Sequence, residues 1–319
     1  MKMNIFRSWK LAKKIIFNKD RKFFENFILL FYETGCYFQK RNKFIADLFF
    51  KFPYYVKSFF GLKNLNFRDT CLLFFCDKAK LNRVSLAENY DRFFFNIKKE
   101  KLKILEIGIG GHTMTDRGGS SLRALSSYFK NSKVYGIDLI DKSLHERNKI
   151  KTFKGSQIDE EFLLKICKDY GPFDIIIDDG SHLVPHQKKS FEILFKSLGY
   201  NGIYIVEDIG SAYIKYLGGS VDIHNKENLI NYFLEKTHNV YSFYIDDKNE
   251  IKKSEFIEIS SIQYWASTSS ATIVIEKAQK NKTAGNVNLF KYTIEEIKKI
   301  DPENSILRKS DEGVMKQNN

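Results

Sequence analysis

Only four cysteines, four prolines and two tryptophans occur in 319 residues, so neither a disulfide scaffold nor a proline-rich filament fits this chain. Cys36, Cys71, Cys76 and Cys167 stand at irregular intervals, without the paired spacing of a zinc site, as expected of a reduced cytosolic protein. No apolar run approaches the ~20 residues of a spanning helix. The start is basic and aromatic and lacks an apolar segment followed by a small-residue cleavage site. The expectation is a cytoplasmic protein, at most peripheral to the inner face of the membrane. Acids are also scarce: 39 Asp and Glu face 52 Lys and Arg, a net charge of +13. Lys, Asn, Ile and Phe are all abundant, as AT-rich coding produces without selection for binding. The charge is therefore read first as solvated basicity, and no nucleic-acid partner is expected.

What is present is a pair of short β-branched runs, each ending in two acids. Residues 173–177 run into Asp178, Asp179, Gly180, Ser181 and His182, and residues 203–206 run into Glu207 and Asp208. Such a run is the pattern of a parallel strand buried on both faces, with its polar end at a crevice. Between the two, Phe191, Leu194, Phe195 and Leu198 recur at helical spacing up to Gly199, so a helix over 186–198 is expected. Strand, helix, strand makes a right-handed crossover that brings both carboxyl ends to one rim. Four carboxylates crowded there stay ionised only with a cation among them; otherwise some take up protons. Oxygen donors without cysteine favour Mg²⁺ or Mn²⁺ over zinc. His182 is then a titratable base within reach of whatever the ion holds.

Taken in order, residues 1–70 read as basic aromatic helices, with Phe31, Phe44 and Phe49 among their apolar positions. Such a face packs on a neighbouring domain or a second subunit, or lies on a membrane surface. Pro53 is expected to end or kink this region. Residues 77–95 are a polar loop entering a helix, uninformative alone. From Lys103 a buried strand turns through Gly108, Gly110 and Gly111, where backbone amides can meet a ligand closely. Thr113 stands where a dinucleotide fingerprint needs a third glycine, so nicotinamide binding is not supported.

After an insertion at 112–117 come Gly118 and Gly119, a helix over 122–129, and a strand over 133–137 tipped by Asp138. An acid at that tip is placed to accept hydrogen bonds from both hydroxyls of a ribose. A third strand at 151–154 leads to Ser156 and Gln157, in a loop that commonly faces an adenine. A helix over 160–169 precedes the first acidic strand. Past Ser211, Tyr213, Tyr216 and Gly218 form a loop suited to cover the site. A helix at 228–236 follows, then strands at 255–262 and 271–276 joined through 263–270, and a polar tail with a short helix over 293–300. The alternation predicts an α/β fold with a mostly parallel, doubly wound sheet.

The motifs Glu106-Ile107-Gly108-Ile109-Gly110-Gly111, Gly118-Gly119-Ser120-Ser121, Tyr135-Gly136-Ile137-Asp138, Asp178-Asp179-Gly180-Ser181-His182 and Val206-Glu207-Asp208 together resemble the class I S-adenosylmethionine-dependent methyltransferases. More narrowly they resemble the metal-dependent sugar O-methyltransferases of macrolide biosynthesis. The likeness divides the chain into a helical accessory region (1–75), a methyltransferase domain (76–276) and a polar tail (277–319). It implies a Rossmann-like fold, S-adenosylmethionine as methyl donor, and Mg²⁺ (or Mn²⁺) held by Asp179, Glu207 and Asp208. It also implies His182 as the base, with Glu106, Gly108, Gly110 and Asp138 around the cofactor and Ser156 and Gln157 near its adenine. Ser156 departs from the family's pattern, which often has an acid there.

The implied acceptor is a sugar hydroxyl. Composition of an AT-rich bacterial type directs the expectation to a nucleotide-linked or lipid-linked sugar for a capsule or surface glycan. Rival readings are a methyltransferase acting on RNA or on a small-molecule natural product, and a non-catalytic membrane-surface scaffold. The acidic rim argues against RNA, and the retained acids and histidine argue against the scaffold. Asp178 is left outside the ligand set, and His112 and His186 are minor candidates for substrate contact.

Overall fold

Residues 21–59, 64–79, 85–240, 258–267 and 270–278 are described by the computed structural model. Seven strands form one sheet: β1 (Lys103–Ile107), β2 (Lys133–Asp138), β3 (Ile150–Lys154), β4 (Phe173–Asp178), β5 (Leu198–Val206), β6 (Ile259–Ala266) and β7 (Ala271–Lys277). Their order is β3-β2-β1-β4-β5-β7-β6. The first five are parallel, and β7 joins antiparallel to β5 and β6. The order reverses between β1 and β4, and a crevice opens beyond the carboxyl ends at that switch.

The central strands read Ile-Leu and Ile-Ile-Ile because helices cover both faces. Ile104, Leu105, Ile175, Ile176, Ile177 and Ile205 are fully buried. On one face lie helices α3 (Phe67–Leu73), α4 (Leu86–Ile97) and α5 (Ser120–Tyr128), sharing a core with Ile104, Ile175 and Ile205. On the other lie α6 (Glu160–Tyr170), α7 (Val184–Leu194) and α8 (Leu229–Val240), packed with Leu105, Ile176 and Tyr204. Asp159 caps α6 by accepting from the Phe162 amide at 3.1 Å, and Pro185 opens α7, where its missing N–H costs nothing.

Register levels the strand tips. Ile107 pairs with Asp178, and Asp178 with Val206. The ladder runs one residue further on each strand: Gly108 donates to Ile137 O at 2.8 Å, Asp179 to Ile107 O at 3.0 Å and Glu207 to Asp178 O at 2.9 Å. Gly108, Asp179 and Glu207 therefore enter the crevice side by side.

Two further helices, α1 (Arg21–Gln39) and α2 (Lys43–Phe59), precede this domain. Pro53 neither ends nor shortens α2, which continues to Phe59. Its last turns are anchored, since Lys57 Nζ donates to Ser127 O at 3.1 Å and Oγ at 2.9 Å on α5. Two boundaries also differ from the sequence expectation. Helix α7 stops at Leu194, and β5 starts at Leu198, because Leu198 pairs with Phe173 across a bulge. Strand β6 runs to Ala266, since Tyr264 and Trp265 find partners in Ile273 and Thr272. The helix expected at 293–300 lies outside the described residues, as do positions 1–20.

Candidate active site

The glycine turn after β1 sits directly against the tip of β4. Gly108 has φ +87°, and a Cβ there would lie 2.0 Å from Asp179 O. Only glycine permits both that backbone conformation and that approach. On the next turn, a Cβ on Gly110 would meet nothing closer than Gly118 Cα at 3.9 Å, which leaves that side open to a ligand. Asp138, at the tip of β2, accepts from the Ile109 amide at 3.0 Å and the Ile140 amide at 2.8 Å. These bonds fix its carboxylate at the rim of the glycine turn, the position from which an acid can meet a ribose.

Other expected cofactor residues lie behind the loop. The Glu106 carboxylate is fully buried, accepts from Ser121 Oγ at 2.6 Å, and pairs with Lys78 Nζ at 3.1 Å. Burial raises its pKa to about 7 despite the lysine. Gln157 is committed to the β4 tip: its Nε2 donates to Asp178 Oδ1 at 3.1 Å, and its Oε1 accepts from the Ser181 amide at 2.8 Å. Ser156 Oγ accepts from the Ile158 amide at 3.3 Å, within the turn before α6.

Asp178 is a structural carboxylate. Fully buried, it accepts from Gln157, Ser190 and Tyr204, and burial lifts its pKa to about 6. Asp179 points elsewhere. One ligand atom each from Asp179, His182 and Asp208 lie within 4.8 Å of one another. That spacing brings the two carboxylates close enough to share one hard divalent cation, with the imidazole beside it. His182 Nε2 stands 3.6 Å from Asp208 Oδ2. His182 Nδ1 is buried and finds no hydrogen-bond partner among the described residues, an orphan that a bound group would satisfy. Both His182 (φ +57°) and Asp208 (φ +54°) adopt the left-handed conformation, which turns their side chains back over the rim at some cost in strain. Ser270, from the start of the last hairpin strand, donates to Asp208.

Glu207 is placed differently from its neighbour. Its Oε1 accepts from Lys78 at 2.6 Å and from the Tyr90 hydroxyl, in a pocket closed to solvent. Lys78 also donates to Asp179 Oδ2 at 2.8 Å. Burial opposes the charge on Lys78, but Asp179, Glu207 and Glu106 hold its proton more firmly, and its pKa is well above normal. The cation that crowded carboxylates demand is thus supplied, in part, by an ammonium. Nothing in the sequence of 77–95 marks Lys78 or Tyr90 as members of the site, since neither belongs to a local motif.

The helical pair also reaches the site. Tyr32 and Glu33 on α1 bind Gly118 and Arg117, and Lys40 approaches Asp116 at 3.4 Å. From below, the buried Lys142 ammonium donates to the carbonyls of His112 (3.3 Å), Met114 (2.7 Å) and Arg117 (3.1 Å). The 112–118 insertion is held from both sides. His186, the minor candidate, shares a hydrogen bond of 2.9 Å with Ser181 Oγ.

No family profile matches the chain. Among curated proteins it is 43% identical over 134 residues to mycinamicin VI 2''-O-methyltransferase from Micromonospora griseorubida, covering 42% of this chain and 34% of that one. It is 39% identical over 131 residues to the 8-demethyl-8-(2-methoxy-alpha-L-rhamnosyl)-tetracenomycin-C 3'-O-methyltransferase of Streptomyces olivaceus, covering 41% and 34%. The chain thus spans about a third of the length of these relatives. Among solved structures, the MycE methyltransferase from the mycinamycin biosynthetic pathway, in complex with Mg, SAH and mycinamycin VI, aligns with a TM-score of 0.62 at 29% identity. The alignment covers 71% of this chain and 58% of that one.

Proposed function

From a core that has the Rossmann-like class I methyltransferase fold and is similar in sequence to sugar O-methyltransferases, we propose that this chain is an S-adenosylmethionine- and Mg²⁺-dependent O-methyltransferase acting on a sugar hydroxyl. The observation that carries the reading is the meeting of Asp179, His182 and Asp208 beside the open glycine turn.

In this reading Gly108, Gly110 and Asp138 hold the cofactor, and Glu106 fixes the loop from behind. Asp179 and Asp208 would hold the metal; Glu207, expected as a third ligand, has its carboxylate on Lys78 and Tyr90 behind them. A divalent ion bound there would supply the positive charge that makes a neighbouring hydroxyl easier to ionise. His182 would take the proton of that hydroxyl as its oxygen bonds to the donor methyl, whose bond to the sulfonium sulfur breaks with the electron pair left on sulfur. Asp208, 3.6 Å from Nε2, orients the imidazole. The glycine turn and the β4 tip, locked together at Gly108, supply the alignment of acceptor and donor.

The activities for which the relatives are named, one of them on a rhamnosyl group, support a sugar-bearing acceptor. The capsule or surface-glycan destination expected from composition finds no support in them. All four cysteines are free, and no described helix is long and apolar enough to cross a membrane. Purified protein incubated with labelled S-adenosylmethionine and a panel of nucleotide-linked sugars, lipid-linked sugars and glycosylated macrolides tests the proposal, with the product read by mass. Transfer to a sugar that stops in EDTA and returns with Mg²⁺ is the expected result. Full activity in chelator would overturn the metal-plus-base scheme.

A further inference from the structure

Lys78 is among the most deeply buried charged groups described, with a side chain 1% exposed, and three carboxylates from three adjacent strand tips surround its ammonium. Glu106, the penultimate residue of β1, approaches from the cofactor side at 3.1 Å; Asp179 follows β4, at 2.8 Å; Glu207 follows β5, at 2.6 Å. The lysine is itself fixed, because its carbonyl accepts from the Ala87 amide at 3.0 Å in the first turn of α4. The same helix supplies Tyr90, whose hydroxyl donates to Glu207.

We propose that Lys78 is a positioning residue, a built-in cation that assembles Glu106, Asp179 and Glu207 before any divalent ion arrives and so joins the cofactor-side acid to the metal-side acids. The inference rests on the divalent site proposed above. The ammonium contacts one acid on the cofactor side and two on the metal side, and Asp179 is the joint between it and the divalent site. Without the ammonium, like charges at three neighbouring tips would repel, and the tips would separate or take up protons. The competing account treats the cluster as packing. Removing one partner of a buried ion cluster destabilises the fold on either account, so the two differ in the metal response: a purely structural ion pair predicts that Mn²⁺ raises the K78M and wild-type midpoints equally.

The experiment compares wild type, K78M and K78R in two readouts that need no turnover: Mn²⁺ titration followed by electron paramagnetic resonance, and melting temperature in EDTA and in Mn²⁺. In EDTA, K78M is expected to melt on the order of 10 °C below wild type. Mn²⁺ should raise the K78M midpoint by more than it raises the wild type, because the ion takes over the missing charge. K78R, which keeps the charge, should recover at least about half of the loss. If K78M yields no folded protein, the double variant K78M/E207Q, with one carboxylate fewer, is expected to restore folding. A K78M whose midpoint Mn²⁺ raises no more than it raises the wild type, whatever its melting temperature in EDTA, or a double variant no better folded than an unfolded K78M, overturns the inference. Wild type that binds no Mn²⁺ overturns the divalent site itself, an outcome distinct from binding that K78M leaves unchanged.

Discussion

The phenol of Tyr32, on the first described helix, accepts a hydrogen bond from the backbone amide of Gly118 at 3.0 Å, 86 positions later in the chain. Beside it Glu33 grips Arg117 through both carboxylate oxygens, at 2.8 and 2.7 Å. The helical extension is thereby tied to the loop that flanks the proposed cofactor. Tyr32→Phe keeps the ring and removes the acceptor, leaving the Gly118 amide unsatisfied. Affinity for S-adenosylhomocysteine is expected to fall by about tenfold, with kcat within about twofold of wild type. Calorimetric titration that finds the same affinity for the variant would dissociate the helix from the cofactor loop.

Gly108→Ala probes the contact between the glycine turn and the metal-side strand. A methyl group at φ +87°, 2.0 Å from Asp179 O, cannot be accommodated without moving one tip away from the other. The substitution should destabilise the fold by more than about 1 kcal/mol and weaken both cofactor and Mn²⁺ binding. Loss of cofactor affinity with intact Mn²⁺ binding would show that the two tips move independently.

His182→Asn preserves bulk near Asp208 and removes the base. Activity is expected to drop by about 10²–10⁴-fold, while S-adenosylhomocysteine binding stays at the wild-type level, since the imidazole is assigned to the acceptor. Asp208→Asn should lower kcat as well, and in addition weaken Mn²⁺. Single-turnover rates alongside binding titrations separate the two effects; a fast His182→Asn enzyme would remove the histidine from the mechanism.

His145 governs part of the acid response. Burial, with Arg123, Lys142 and Arg147 nearby, pushes its pKa down to about 3, so the folded chain keeps it neutral. Unfolded, it takes a proton below its ordinary value of 6.5. The unfolded state then binds more protons, and stability from this residue is present above pH 6.5 and drains away as pH falls towards 3. The slope from this one group is at most about 1.4 kcal/mol per pH unit. Urea titrations between pH 4 and 7 should show a flatter acid limb for His145→Gln than for wild type; parallel limbs would assign the acid response to other groups.

The strands, the glycine turn and the acidic tips were legible in the chain because each is written locally. Ile175, Ile176 and Ile177 need only their own succession to mark a strand buried on both faces, and the placement of Asp179, Glu207 and Asp208 follows from counting past the end of such a run. Where local signals compete, tertiary contacts override them. Gly199 resembles a helix stop yet belongs to β5, and Pro53 resembles a helix end yet lies within α2, because cross-strand pairing and the Lys57 anchor on α5 outweigh local preference.

Which acids face the ion and which face inward was settled only by packing. Asp178 and Asp179 are adjacent in sequence, and strand alternation sends one into a buried network and the other to the rim. Lys78 meets Glu207 across 129 positions, and no period or spacing in a sequence records such a meeting. The sequence by itself determined that carboxylates would crowd one edge of a parallel sheet. Only the folded chain decided that an ammonium shares that edge, because a buried charge finds its partner through space.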